Sequence, residues 1–162
     1  MPTTVYLPID FLNPMVKSGF GGNSYWSVQS GIAWDRGVWQ FISGNEGRIY
    51  GIVHVPSIIA ASPAPQISLV CDSPQTSGLT FFKVNTKAIA SGASFDPSSL
   101  TGESGYSVSI PTTALNRFDV LFPSGGTLAE TISGNSVLIV EVAHSGPTVT
   151  NIIEGLLRVD LS

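Results

Sequence analysis

Two histidines, one cysteine and eleven carboxylates are the side chains in this sequence best suited to acid–base, nucleophilic or metal chemistry. His54 and His144 lie in runs of alternating apolar residues, which predicts strand positions facing solvent or a subunit contact. The carboxylates are dispersed, and no aspartate-rich loop or thiol pair forms a metal-binding motif. The sequence predicts no catalytic residue, metal or cofactor, although spacing leaves open a carboxylate pair for glycoside hydrolysis.

Three shorter signals are too weak to indicate an enzyme. Residues 19–22 match only part of a dinucleotide-binding fingerprint, without a strand and helix around them. Residues 102–105 miss the spacing of a nucleophile elbow by one position. Cys71 has no second cysteine to pair with, and its apolar surroundings predict a buried thiol.

Aromatic residues are concentrated at positions 25–41 and are the other group that could bind a ligand. Trp39 and Phe41 share one face of a predicted strand, which favours a place in the core. Trp26 and Trp34 stand beside glycine-rich turns, so core or intersubunit packing competes there with stacking on sugar rings. We retain Trp26 and Trp34 as candidate ligand-stacking residues.

Composition excludes several classes of protein. A mass of 17.0 kDa suits one domain, and charged residues make up 11 % of the chain, against about 25 % in an ordinary soluble domain. Seventeen glycines and eleven prolines argue against a helical bundle. A net charge of −4 with scattered basic residues argues against nucleic acid as a partner. The sequence shows neither a long apolar stretch nor a leader pattern, so we expect no membrane span and no secretory signal.

Period-two alternation of apolar residues dominates the chain and predicts strands. Eight or nine strands without βαβ alternation indicate an all-β fold, an antiparallel β-sandwich of the jelly-roll kind. Two short segments, 86–90 and 127–132, are the only helix candidates. The turn at residues 72–78 is rich in proline, glycine and aspartate.

The first 24 residues are predicted to form an extended N-terminal arm with a glycine-rich hinge at residues 19–22, and residues 25–162 the sandwich. Pro8 and Pro14 prevent a long helix and favour at most an edge strand. Six apolar side chains would gain from docking against the same sandwich or a neighbouring subunit. These candidate interface residues are Val5, Tyr6, Leu7, Ile9, Phe11 and Leu12.

Sparse charge predicts self-association. A monomer of this mass exposes roughly 7,700 Å², or about 430 Å² for each charged side chain. Much of the exterior is therefore expected to carry hydroxyls or to lie against other subunits, and the expected assembly is a homotrimer.

From residue 37 onward, the order of strands and turns resembles small jelly-roll structural proteins of tailed bacteriophages. The matching features are an aromatic strand at 39–41, a strand closed by Pro56, the turn at 73–78, and a final apolar hairpin ending at Leu161. Residues 1–36 lie outside the resemblance. The family carries no catalytic residues, so none is transferred to this chain.

The resemblance implies a non-enzymatic virion protein, made in a host cytoplasm, that decorates or cements a capsid. Its partners would be further copies of itself, the major capsid protein or other virion proteins. The alternative is a receptor- or glycan-binding head of a phage fibre, using exposed aromatics and loop hydroxyls.

Overall fold

The computed structural model describes residues 3–11, 24–30, 35–41, 44, 47–60, 63–95, 100–102, 105–123 and 128–162. These residues form eleven strands and no helix, and hence no helix able to cross a membrane. In chain order the strands are β1 (Thr3–Pro8), β2 (Ser24–Ser30), β3 (Asp35–Phe41), β4 (Gly47–His54), β5 (Gln66–Asp72), β6 (Leu79–Ile89), β7 (Thr101–Gly102), β8 (Tyr106–Ser109), β9 (Phe118–Phe122), β10 (Val137–Ser145) and β11 (Thr150–Leu161).

Two antiparallel sheets make up the sandwich. Sheet one has the order β2-β3-β11-β5-β9, with β1 also paired to β11. Sheet two has the order β4-β10-β6-β7, with β8 also paired to β6. The predicted all-β, jelly-roll-like sandwich is therefore confirmed. Its eleven described strands exceed the predicted eight or nine, and one of them, β7, has only two residues.

The core lies between the sheets and follows from alternation along each strand. In β4 the buried and partly exposed positions alternate strictly up to the exposed His54. Leu138, Val140 and Val142 of β10 face Leu157 and Val159 of β11 within one apolar cluster. Each such side chain stabilises the fold by about 1.5–3 kcal/mol when fully buried. Phe41 belongs to this core as predicted, and Trp39 packs against it partly buried.

Both helix predictions are wrong. Strand β6 continues to Ile89, because Thr86 and Lys87 keep their antiparallel register with Val140 and Ile139 of β10. Pairing with the long apolar strand outweighs the local helix preference of this segment. Residues 128–132 are not helical either, and residue 127 lies outside the described part of the chain.

The N-terminal segment docks on its own sandwich. Strand β1 pairs with the second half of β11, from Thr3 opposite Leu161 to Pro8 opposite Leu156. The chain then crosses to sheet two, where the Asp10 amide donates to the Ile52 carbonyl at 2.8 Å. The predicted edge strand is thus present at Thr3–Pro8, and residues 9–11 continue from it toward sheet two. The proposed hinge at 19–22 lies outside the described residues, and the division of the chain at residue 24 stays a prediction.

Two glycines make room for this docking. A Cβ on Gly51 of β4 would lie 2.6 Å from the ring of Phe11, and one on Gly155 of β11 would lie 2.5 Å from the same ring. Ile9 and Phe11 are buried as a result. The arm therefore ties the two sheets together through a socket that only glycine leaves open.

Candidate ligand-binding face

The outer surface of sheet two collects more polar and charged groups than its strands' apolar composition suggests. Because side chains alternate across a strand, one set on β4, β10 and β6 points away from the core. We call this set the sheet-two face. Its members used below are Arg48, Tyr50, Phe81, Lys83, Asn85, Lys87, Glu141 and Ala143.

Glu141 is the centre of the sheet-two face. It stands opposite Tyr50 on β4 and opposite Asn85 on β6, so three outward side chains form a row across three strands. Only 2 % of Glu141 is exposed. Its Oε1 accepts hydrogen bonds from the Asn85 amide and from Arg48 Nη1, the latter at 3.4 Å. These two donors offset part of the cost of removing a carboxylate from water.

The Glu141 carboxylate also affects the ionisation of Tyr50, which lies opposite it on β4. Burial, followed by the nearby Glu141 carboxylate, raises the pKa of Tyr50 to about 12, against a smaller opposing effect of Arg48. The phenol therefore keeps its proton under ordinary conditions and can act as a hydrogen-bond donor. Tyr50, Glu141, Asn85 and Arg48 form one polar cluster on the sheet-two face.

The next row toward one end of the sheet has cations on both sides of a small residue. Ala143 of β10 pairs with Arg48 on β4 and with Lys83 on β6. Neighbouring strands are about 4.8 Å apart, so the two cation-bearing backbones lie about 9.6 Å apart with a methyl group between them. The Lys83 side chain extends toward β7, since a Cβ on Gly102 would lie 3.7 Å from its Cε and 3.9 Å from its Nζ.

Gly102 of β7 keeps the neighbouring side chains uncrowded. It stands opposite Asn85, and a Cβ there would lie 3.2 Å from Asn85 Oδ1 and 3.7 Å from Lys83 Cε. A side chain at this position would press on the Asn85 amide and make ordinary contact with Lys83. Glycine at residue 102 therefore leaves room for the Asn85 side chain.

Glu130 fixes the edge of the face beside β7. Its carboxylate accepts from the Ala88 amide at 3.0 Å and from the Thr101 hydroxyl at 2.5 Å, and Lys87 Nζ lies 3.3 Å away. Partial burial opposes ionisation of Glu130, but these three donors together hold its pKa below the ordinary value. Lys87 is therefore engaged in a structural contact.

Phe81 supplies an apolar surface at the end of the face. It is 37 % exposed, and its ring rests on Gly105, where a Cβ would lie 2.5 Å from the ring. Leu79, two residues earlier on the same strand, is 51 % exposed. An aromatic ring beside amides and cations is a combination that binds amphipathic ligands.

The residues predicted as interface or stacking groups lie elsewhere. Tyr6 is 59 % exposed, Val5 and Leu7 are partly buried, and Leu12 lies outside the described residues. Trp26 lies in β2, with its side chain outside what the structure describes, and Trp34 lies wholly outside the described residues. Their roles as an interface and as stacking groups stay predictions.

The two histidines differ. His54 is exposed at the end of β4, as predicted. The prediction of a solvent- or subunit-facing position is wrong for His144, because alternation along β10 points it into the core between Phe41 and Phe82, with ring centroids 5.0 and 5.2 Å away. Its Nε2 is 2.7 Å from the Thr80 hydroxyl, and burial lowers the pKa of His144 to about 4.

Cys71 is fully buried, as predicted, and burial raises the pKa of its thiol. Among the described residues, no three side chains of the His, Cys, Asp or Glu types come together in a way that could hold a metal ion. Non-enzymatic function remains a prediction.

Sequence reasoning missed Tyr50, Asn85 and Glu141 as a group. One signal was available, since Glu141 is the only acidic residue in the apolar strand at 137–145. A carboxylate in such a strand needs donors nearby. The identity of those donors depends on register, which places Asn85 and Tyr50 beside it from distant parts of the chain.

No family model and no curated protein matches this chain. Among solved structures, it is similar to a family 11 carbohydrate-binding module of Clostridium thermocellum in complex with a β-1,3-1,4-mixed-linked tetrasaccharide, with 14 % identity, 94 % of each chain covered and a TM-score of 0.44. It is also similar to the CBM22-1 xylan-binding domain of Paenibacillus barcinonensis Xyn10C, with 10 % identity, 88 % of this chain and 85 % of that one covered, and a TM-score of 0.43.

A third similar structure is the arabinose-bound MgGH51 α-L-arabinofuranosidase, with 14 % identity and a TM-score of 0.38, in which the match covers 94 % of this chain and 23 % of the enzyme. None of the three is described as a virion protein. Likenesses at identities of 10–14 % and TM-scores of 0.38–0.44 assign no function to this chain.

Proposed function

We propose that this chain is a non-catalytic glycan-binding module whose ligand lies on the sheet-two face. The observation that carries the proposal is the cluster around Glu141. A carboxylate that is 2 % exposed at an outward strand position contributes little net stability, because desolvation offsets the attraction of Arg48 and Asn85. Its role in the proposal is to hold these donors, and Tyr50 beside them, in fixed directions.

The chemistry of the face matches that of a sugar. A pyranose ring presents hydroxyl groups around its rim and C–H groups on its two faces. Asn85 and Lys83 offer donors to the hydroxyls, and the exposed ring of Phe81 offers an apolar surface to the C–H groups. A few convergent polar groups beside an aromatic side chain are typical of a small-molecule site.

This proposal takes up the alternative drawn from the sequence, that of a glycan-binding head, and requires no virion. The capsid-decoration hypothesis has no support among the solved structures named above. It stays a prediction from the order of strands and turns, and its direct test is whether the protein binds the surface of a purified capsid.

The proposal is tested by binding of the intact protein to a glycan array that contains neutral β-glucans, xylans and uronate polymers, followed by calorimetry on each hit. Asn85→Ala removes a donor from the sheet-two face, and we expect affinity to fall about three- to tenfold, the effect of one hydrogen bond. Gln66→Ala is the matched amide control on sheet one, where Gln66 contacts Arg158.

Asn85→Ala also deprives Glu141 of a donor, so thermal unfolding of both variants establishes that each is folded at the assay temperature. Binding by wild type that Asn85→Ala weakens and Gln66→Ala leaves intact is the expected result. If no glycan on the array binds, the proposed function is wrong. If Asn85→Ala binds as tightly as wild type, the site is wrongly placed.

A further inference from the structure

The Phe81 side chain lies across sheet two instead of standing up from it. A Cβ built on Gly105 would lie 2.5 Å from Phe81 Cζ and 3.0 Å from Phe81 Cε1. Gly105 is beside β6, because the residue after it, Tyr106, pairs with Phe82 at the start of β8. The tip of the Phe81 ring therefore occupies the space that a side chain at residue 105 would need.

Glycine at residue 105 is what leaves this space open. A methyl group there would overlap the Phe81 ring and would also lie 2.7 Å from the Phe82 carbonyl oxygen. The carbonyl belongs to the main chain of β6, whereas the Phe81 ring is held only through its own side-chain torsions. The ring is the neighbour that would move, and it would move away from the sheet.

The opposite side of the Phe81 ring is open to solvent. Phe81 is 37 % exposed, and it stands between Ser107 of β8 and Ser145 of β10. Both neighbours have short side chains, so neither rises above the ring. Covering a glycine with an aromatic ring stabilises a sheet without any ligand, so a binding role is to be measured at the exposed side of the ring.

Lys83, the next outward residue of β6, leans in the same direction as Phe81. A Cβ on Gly102 of β7 would lie 3.7 Å from Lys83 Cε. Two glycines beside β6 thus leave room for two of its outward side chains to lie along the sheet. An aromatic ring and the alkyl stem of a lysine form the surface at this edge.

We propose, resting on the proposed function, that Gly105 is a positioning residue of the glycan site. It keeps the Phe81 ring down on the sheet, so that a face of the ring, and not its edge, is turned toward the ligand. A pyranose ring of the glycan stacks there with its C–H groups on the negative face of the aromatic ring. Recognition at this position reads the apolar face of a sugar ring and requires no charged group on the sugar.

Proton magnetic resonance of the sugar tests the inference, because protons above an aromatic face shift upfield and protons beside its edge shift downfield. The intact protein is added to cellohexaose, laminarihexaose, xylohexaose and hexagalacturonate, which represent the polymers on the array. We expect ring C–H protons of at least one hexasaccharide to shift upfield with wild type. Phe81→Leu should abolish this shift and weaken binding about two- to tenfold.

Gly105→Ala tests the positioning role, and Gly155→Ala is its matched control on sheet one. In both variants the new methyl group would lie 2.5 Å from a phenylalanine ring, that of Phe81 or that of Phe11. We expect the upfield shift of the sugar protons to be lost in Gly105→Ala and kept in Gly155→Ala. Thermal unfolding establishes that each variant is folded at the assay temperature. An unchanged sugar shift in folded Gly105→Ala would overturn the positioning role.

A second measurement needs no substitution of Gly105. Its Hα protons are expected to resonate upfield in the wild-type protein, because the Phe81 ring lies against them, and Phe81→Leu should move them back. Hα protons that do not respond to Phe81→Leu would contradict the contact, even if Gly105→Ala fails to fold.

The outcomes separate this inference from the function on which it rests. Binding of a hexasaccharide whose ring protons shift downfield, or do not shift, would overturn the stacking on a Phe81 face and leave glycan binding standing. Absence of binding to all four hexasaccharides and to the array would overturn both.

Discussion

At the residue scale, Glu141 and His144 show how one strand assigns opposite roles to neighbouring polar groups. They lie three residues apart on β10, so alternation sends Glu141 outward and His144 into the core. Asn85 and Arg48 donate hydrogen bonds to Glu141. His144 has the Thr80 hydroxyl, which also accepts from Thr150 at 2.9 Å, and two aromatic rings around it. One residue is thereby suited to a ligand face and the other to a core.

The environment of His144 predicts that stability falls in mild acid. Burial lowers its pKa from 6.5 to about 4 in the folded protein, so the unfolded chain takes up a proton first as pH falls. The neutral ring contributes fully above pH 6.5, and its contribution is lost progressively between about pH 6.5 and 4, amounting to about 3 kcal/mol at 1.36 kcal/mol per pH unit. The groups facing it, Phe41, Phe82 and Thr80, carry no charge.

The measurement is chemical denaturation of wild type and His144→Leu from pH 7 to pH 4. We expect a shallower decline in the variant, while His54→Gln, which changes an exposed histidine, keeps the wild-type slope. Parallel curves for wild type and His144→Leu would show that His144 does not titrate in this way. Glu130, whose pKa is lowered in the fold, adds an acid-side decline common to all three proteins.

At the element scale, the sequence predicts a strand well where apolar and polar residues alternate over many positions. It predicts poorly where pairing with a distant strand determines the secondary structure. The predicted aromatic strand at 39–41 lies in β3, and the predicted strand closed by Pro56 is β4. The sequence favours a helix at the end of β6 because Lys87 and Ala88 are good helix formers. The structure has a strand there because these residues pair in register with β10. The candidate site has the same dependence, since alternation places Glu141 outward but cannot say which strands flank it.

The socket for the arm predicts a steric effect at Gly155. A methyl group there would lie 2.5 Å from one carbon of the Phe11 ring and 3.3 Å from Ile9. We expect Gly155→Ala to destabilise the fold by about 1–3 kcal/mol through overpacking. The measurement is the free energy of unfolding in denaturant.

Phe11→Ala provides the control, because it removes the ring that the new methyl group would strike. In that background Gly155→Ala should cost much less, so the two effects are not additive. Additive costs in the double variant would contradict the docking of Phe11 against β11.

At the scale of the whole molecule, the exposed area and the distribution of charge bear on partners. The described structure exposes 8288 Å², close to the roughly 7,700 Å² expected of a monomer of this mass. Large apolar side chains remain exposed at Tyr6, Ile58 and Phe95, each by more than half. The low number of charged residues and these exposed apolar side chains support the proposal that the protein self-associates. The expected form is a homotrimer.

Analytical ultracentrifugation at micromolar concentration tests this proposal. We expect a mass near three times 17.0 kDa, and Tyr6→Ser to weaken the assembly if the arm contributes to it. Sedimentation of wild type as a 17.0 kDa species would contradict self-association and would leave glycan binding by a single sandwich unaffected.

The central claim is that a glycan binds on the sheet-two face, and mapping the contact by nuclear magnetic resonance tests it most directly. The isotope-labelled protein is titrated with the tightest-binding oligosaccharide, and amide shifts are followed on both sheets. The account predicts that saturable shifts concentrate in β4, β6 and β10, around Tyr50, Lys83 and Glu141. Shifts concentrated in β3, β5 and β9 of sheet one, or saturable binding that leaves these three residues unshifted, would contradict it.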